Sequence, residues 1–213
     1  MKKSFRCALA ALAIVGFIGV ATAQKKSESS LDCREWGGND RLQNHCEIKE
    51  LTLAAGGTIT VDGRQNGGIS IKGWERNEVL IRSRIQSQAP TQAEADQLAA
   101  QVRIETAALS IHAEGPQTRE DYQWYVSYEI FVPRRSDLSL QAHNGGISIS
   151  DVSGRIDFKT MNGGVTLRRV GGAVRGSTTN GGVHVELGDA EAGVHQRGAV
   201  LIDGDRAGDA SRP

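Results

Sequence analysis

The chain has 213 residues with 25 basic and 25 acidic side chains, so its formal charge is zero, and 26 residues are glycine, well above the usual ~7%. So even a balance offers no basic field for nucleic acid or for an anionic membrane surface. The length suits one or two domains able to bury a core, and the glycine excess signals many tight corners.

Met1 to Ala23 reads as a secretory signal: Lys2, Lys3 and Arg6 open it, Cys7 to Val20 is apolar, and Ala21-Thr22-Ala23 is a small-residue cleavage site. The apolar run is shorter than the about 20 residues a membrane-spanning helix takes, and no second such run follows. The expectation is an extracytoplasmic chain (periplasm, cell surface or secreted) of about 190 residues without an integral membrane anchor. Cys7 sits inside the apolar run, so no lipid attachment is expected. Removing the signal leaves 22 basic against 25 acidic residues, a net charge of about −3.

Residues 24 to 46 form a polar leader that ends in LDCREWGGNDRLQNHC. In an oxidising compartment Cys33 and Cys46, thirteen positions apart, most simply pair as a disulfide. A metal site built from Cys33, His45 and Cys46 is the rival. It lacks a fourth ligand, and adjacent His45 and Cys46 would have to reach one tetrahedral ion together.

In LTLAAGGTITVDGRQ, Gly57 precedes Ile59 and Val61, and the hexapeptide NGGISI follows at Asn66 to Ile71. EVLIRSRIQ, VRIETAALSIHA and YQWYVSYEIFV read as longer alternating strands, the last placing Trp124, Val126, Tyr128, Ile130 and Val132 on one face. Between the first two lies APTQAEADQLAAQV, a short helix with a Thr91–Glu94 capping box and a stripe of Ala95, Leu98, Ala99 and Val102. Such a helix can cover an end or edge of a sheet.

NGGISI returns at Asn144 to Ile149, and from there the chain divides into nine-residue blocks: NGGISISDV, SGRIDFKTM, NGGVTLRRV, GGAVRGSTT and NGGVHVELG. Position two is always glycine. Position four is Ile147, Ile156, Val165, Val174 or Val183; position six is Ile149, Phe158, Leu167 or Val185, with Gly176 the exception. Asn and Gly accept the positive backbone angles of a sharp corner, and alternation sends one side chain inward and the next outward. The full NGG corner recurs every 18 residues, which predicts a mainly β, solenoid-like stack of coils with two strands and two unlike corners each. An antiparallel meander of Asn-Gly hairpins is the competing reading. Stacking predicts Arg168 beside Glu186 and Asp157 beside Arg175.

The two NGGISI copies lie 78 residues apart, which is not a multiple of nine, so the strands and helix between them count as an insertion into one repeat domain, Glu47 to Leu187. Two domains joined near Arg134-Arg135 are the alternative. The tail, Gly188 to Pro213, has no NGG corner and reads as irregular: a cap, a disordered end, or the product of a truncated or frame-shifted reading.

The signal-like start, Cys-bounded leader, capped helix, NGG corners and the stretch VSYEIFVPRRSDLSLQAHNGGISI resemble the bacterial putative-adhesin β-strand-repeat family, over roughly Glu47 to Leu187. The resemblance implies an extracytoplasmic β-solenoid of the cell envelope without a catalytic mechanism, in an adhesin-like role. Some relatives are linked to envelope-stress signalling, so a regulatory or scaffold protein binding a periplasmic partner is the runner-up.

Residues for chemistry are few. Calcium β-rolls want Gly and Asp where positions four and six here are apolar. His45, His112, His143, His184 and His195 show no ligand spacing, so neither metal nor cofactor is expected. A polysaccharide hydrolase needs two carboxylates on one bond, whereas the register sets Asp157 and Glu186 each against an arginine. His184 and Glu186 share a strand face, as solvated polarity explains, and no GxSxG elbow occurs. Binding remains: Trp36, Trp74, Trp124, Tyr122 and Tyr125 offer platforms for a surface glycan or an envelope protein. Trp124 alternates with aliphatics and reads as core, which leaves Trp74, after a corner, as the surface candidate. The ladder of Asn66, Asn144, Asn162 and Asn180 is assigned to corner geometry.

Overall fold

The computed structural model describes residues 31–33 and 41–186, and the backbone of 200–204. The signal-like segment, Trp36, His195 and most of the tail lie outside the described residues.

The structure is mainly β, with two seven-stranded mixed sheets. Alternating strands of the repeat fall in opposite sheets. β2 (Thr58–Asp62), β8 (Asp137–Ala142), β10 (Ser153–Thr160) and β12 (Gly171–Thr178) belong to the second sheet; β3 (Ile69–Trp74), β9 (Ile147–Ser150), β11 (Val165–Arg168) and β13 (Val183–Glu186) belong to the first. Pairing among them is parallel, which removes the meander. Ile147, Val165 and Val183 stand in one column and Ile149, Leu167 and Val185 in the next, at the 18-residue offset. Leu138, Ile156 and Val174 form a matching column in the facing sheet.

These columns are the core. Ile59, Ile71, Leu140, Ile149, Ile156, Val165 and Leu167 are all at most 2% exposed. Each such side chain contributes about 1.5–3 kcal/mol on burial. Gly176, the exception at position six, pairs directly with Phe158; a Cβ there would lie 2.5 Å from Phe158 Cγ, so the ring fills the space that the glycine leaves.

The first glycine of each NGG corner owes its place to a different cause from the one predicted. Neither Gly145 nor Gly163 has a positive φ. Instead, a Cβ on Gly163 would sit 2.6 Å from the carbonyl carbon of Gly145, and one on Gly145 would meet Gly67 at the same distance. Glycine is required because adjacent rungs approach backbone to backbone. Left-handed angles occur at the opposite corner, at Gly172 (φ 90°), Asp151 (φ 60°) and Arg169 (φ 48°).

The insertion explains the 78-residue offset. β4 (Glu78–Ala89) runs antiparallel to β1 (Gln43–Ala54) and to β7 (Gln123–Pro133), while β6 (Ser110–Glu114) and β7 pair in parallel with β2 and β3. β6 and β7 thus pair on one side of β2 and β3, and β8 and β9 pair on the other. The two NGGISI copies become neighbours, Ile69 beside Ile147 and Ile71 beside Ile149. VRIETAALSIHA is not one strand: β5 (Arg103–Glu105), a 3-10 turn at Ala107–Leu109 and β6 divide it, with positive φ at Ala108 and Leu109. Within the tail, β14 (Val200–Gly204) adds in parallel to β12.

Helix α1 (Gln92–Ala100) carries the expected capping box and buries Ala95, Leu98 and Ala99. Ser87 Oγ donates to its Ala95 carbonyl (2.7 Å), and His45 Nδ1 lies 2.8 Å from Asp96 Oδ1, which fixes the helix to β4 and β1. Cys33 and Cys46 are joined in a disulfide. That bond holds Leu31, 9% exposed, and Asp32, whose carbonyl accepts from Arg84 (2.9 Å).

Candidate ligand cleft

Several outward polar residues of the repeat pair with one another. Arg168 meets Glu186 at 3.1 Å, as stacking requires, and Asp157 stands beside Arg175 in register. Arg169 donates twice to Asp151, at 2.7 Å each, and this holds the Asp151 carboxyl below its ordinary range. Neither Asp157 nor Glu186 is paired in register with another acid.

The asparagines do more than turn corners. Asn180 Nδ2 donates to Asn162 Oδ1 (2.8 Å), Asn162 to Asn144 (2.7 Å) and Asn144 to Asn66 (3.0 Å), one continuous amide ladder along the edge of the stack. Thr160 and Thr178 buttress it from inside by donating to the carbonyls of Gly145 and Gly163.

On the outer face of the first sheet, Glu129 is fully buried between Lys72 Nζ (2.7 Å) and Arg82 (2.6 Å), and Arg82 also reaches Glu50 (2.7 Å). A buried carboxylate needs such partners. Trp74 belongs to this layer. Its ring lies 5.4 Å from that of Phe131, Arg76 covers it at 4.9 Å, and Nε1 donates to the Glu78 carbonyl (2.9 Å). The candidate platform is thus already engaged by its own chain.

Trp124 offers more. It packs half-buried against the core, as alternation predicts, and also lines a cleft of about 590 Å³ where the β2–β3 corner meets the end of β6. Arg64, Asn66, Glu114, Gln117 and Tyr125 contribute to the walls. Trp124 Nε1 donates to the Pro116 carbonyl (2.8 Å), and Gly115 lies so close that a Cβ would be 2.9 Å from the indole. The ring is therefore fixed with its polar handle satisfied. Burial raises the Tyr125 phenol pKa, and its hydroxyl donates to Gln88 (3.1 Å). A second cleft of about 510 Å³ shares Pro116 to Thr118 with the first, and is flanked by Tyr122, which donates to Glu94 (2.7 Å) and stacks under Arg119 (4.0 Å). The hydrogen bond from the Thr91 side chain, followed by this one from Tyr122, holds the Glu94 carboxyl below its ordinary range.

A third cleft, of about 640 Å³, lies at the opposite corner and has no aromatic lining. Alternation accounts for the packing of Trp124 against the core but not for its place in the cleft wall. The signal for it was the Gly115-Pro116 break upstream, which brings a loop over an otherwise regular strand. Among the described residues no cluster of His, Cys, Asp or Glu could hold a metal ion, and no helix is long and apolar enough to cross a membrane.

No family model matches the chain, and no curated protein matches it. Among solved structures it is similar to a putative lipid binding protein from Parabacteroides distasonis, at 9% identity over 75% of this chain with a TM-score of 0.40. The chain spans 66% of the length of that protein. It is also similar to a putative cell adhesion protein from Clostridium sporogenes, at 11% identity over 76% of this chain and 100% of that one with a TM-score of 0.34. A putative adhesin from Bacteroides fragilis follows, at 9% identity over 74% of this chain and 97% of that one with a TM-score of 0.30. Identities this low concern the chain path alone, and no ligand or activity passes from those proteins to this one on that ground.

Proposed function

We propose that this chain is a secreted or periplasmic, non-enzymatic β-solenoid that presents a binding surface in an adhesin-like role, with recognition centred on the Trp124 cleft. One observation carries the reading: the cleft sets a fixed, half-buried indole among polar walls, whereas along the repeat Arg168 is paired with Glu186, Arg169 with Asp151 and the asparagines with one another. Pockets that orient a ligand have this make-up, an apolar platform with a few placed polar groups. Placing Asp157 and Glu186 each against an arginine supports a surface without paired catalytic carboxylates. The disulfide fits an oxidising compartment.

A second reading, a scaffold for one periplasmic partner protein, draws on β13. Among the described residues this strand has a neighbour on one side only, and Val183 and Val185 are half-buried where their counterparts in β11 are covered. Incubation of the purified protein with envelope extract separates the two. Retention on glycan or cell-surface material that Trp124→Ala abolishes supports the first, and a single stoichiometric protein partner supports the second. Polysaccharide turnover detected at reducing ends, and lost in Asp157→Asn or Glu186→Gln, would overturn both.

A further inference from the structure

We infer that the Trp124 cleft is a saccharide site for a neutral hexose-based oligosaccharide, held by its ring face on the indole and by its hydroxyls between Asn66 and Arg64 as donors and Glu114 as acceptor. This rests on the binding reading above and names the ligand class for it.

The asparagine ladder supplies the first argument. Every amide in it donates in the same sense, from Asn180 toward Asn66. Asn66 uses its Oδ1 as the last acceptor, and its own Nδ2 has no acceptor among the described residues. An amide that accepts at oxygen becomes a better donor at nitrogen, and a chain of such bonds strengthens each successive member. The ladder therefore delivers its strengthened terminal donor to the residue that borders the cleft.

The charge pattern supplies the second. Arg64 has Asp62 at 3.7 Å, and Glu114 has the His112 ring at 3.3 Å, so a guanidinium and a carboxylate both stand at the rim, each with a polar neighbour. No single-sign field is left to select an ion. A sugar hydroxyl donates and accepts at once and suits a wall carrying amide and guanidinium donors beside a carboxylate acceptor. The C–H face of a hexose suits the indole, whose N–H is already used on Pro116. Because the second cleft continues past Pro116 to Thr118, a longer chain gains contacts there with Gln97 and Gln101.

The test is isothermal titration of the full chain with maltohexaose, cellohexaose and N-acetylchitohexaose, the corresponding disaccharides, and hexagalacturonate as the acidic control. At least one neutral hexamer is expected to bind, more tightly than its disaccharide. Trp124→Ala should weaken it about tenfold or more, and Asn66→Asp, which keeps the ladder's acceptor oxygen but removes the donor, about fivefold, the loss of one hydrogen bond. Trp124→Phe, which keeps an aromatic face, should retain most of the affinity and controls for folding. Binding that Asn66→Asp leaves unchanged overturns the inference, as does tighter binding of hexagalacturonate. Absence of all saccharide binding, with envelope retention that survives, overturns the inference and leaves the binding reading standing; loss of retention as well removes both.

Discussion

Replacing Gly163 by alanine tests why the corners contain glycine. The added Cβ would lie 2.6 Å from the Gly145 carbonyl carbon and 3.0 Å from Gly146 N, both of them backbone atoms that cannot swing aside. To restore ordinary contact the two rungs must part by roughly 1 Å at this corner, where Asn162 N donates to the His143 carbonyl (2.7 Å) and Ile147 N to that of Gly164 (3.0 Å). Overpacking costs about 1–3 kcal/mol, and loosening one of these bonds about 1 kcal/mol more, so a total near 3 kcal/mol is expected. Gly164→Ala, one residue on, is the control. Its nearest neighbour would be the Gly182 carbonyl at 3.7 Å, an ordinary contact, and its φ is not positive. Alanine there should change stability by less than about 1 kcal/mol in either direction. Urea unfolding, with a slope of about 1–3 kcal/mol per molar, would place the Gly163→Ala midpoint more than 1 M below wild type. Equal midpoints for the two variants, or a Gly163→Ala protein as stable as wild type, would refute the close-approach argument.

The remaining predictions concern the disulfide and two charge sites. Replacing Cys33 and Cys46 by serine should cost about 3 kcal/mol, read as a lowered urea midpoint that reductant no longer shifts. Asp151→Asn keeps a side chain that tolerates the left-handed backbone but removes the charge facing Arg169. Because Arg169 lowers the Asp151 pKa in the folded state, wild type should exceed this variant by about 0.5–1 kcal/mol above the unfolded pKa of about 3.9. The advantage should vanish as pH falls through the folded value, as a pH series of unfolding curves would record. Glu129→Gln leaves Lys72 and Arg82 facing a neutral amide in a buried setting, and a thermal melt should report a loss of about 3 kcal/mol.

How much of this was legible in the sequence depended on whether the cause was periodic. The columns Val165–Val183 and Leu167–Val185, the pair Arg168–Glu186 and the helix cap at Thr91 all follow from spacing, because stacking and capping act at fixed offsets. The reason for the corner glycines was not legible. Positive φ and close backbone approach both select glycine, and only the inter-rung distance separates them. Nor was the threading, since β6 and β7 lie beside β2 and β3 through long-range pairing that leaves no period behind. The same holds for the cleft. Trp124 obeys strand alternation, and what opens the pocket beside it is a loop from the end of β6 whose course spacing does not encode. Trp74 does not follow a corner but ends β3, where Phe131 from the neighbouring strand and Arg76 from the turn beyond pack against it.

The strands of the repeat stack in parallel, with the two NGGISI segments side by side despite the residues between them. Backbone nuclear Overhauser effects test this arrangement most directly. Parallel stacking predicts inter-strand contacts from Ile149 to Ile71 on one side and to Leu167 on the other, repeated from Leu167 to Val185. Absence of the Ile149–Ile71 contact, or an antiparallel pattern across the Asn162 and Asn180 corners, would contradict the account.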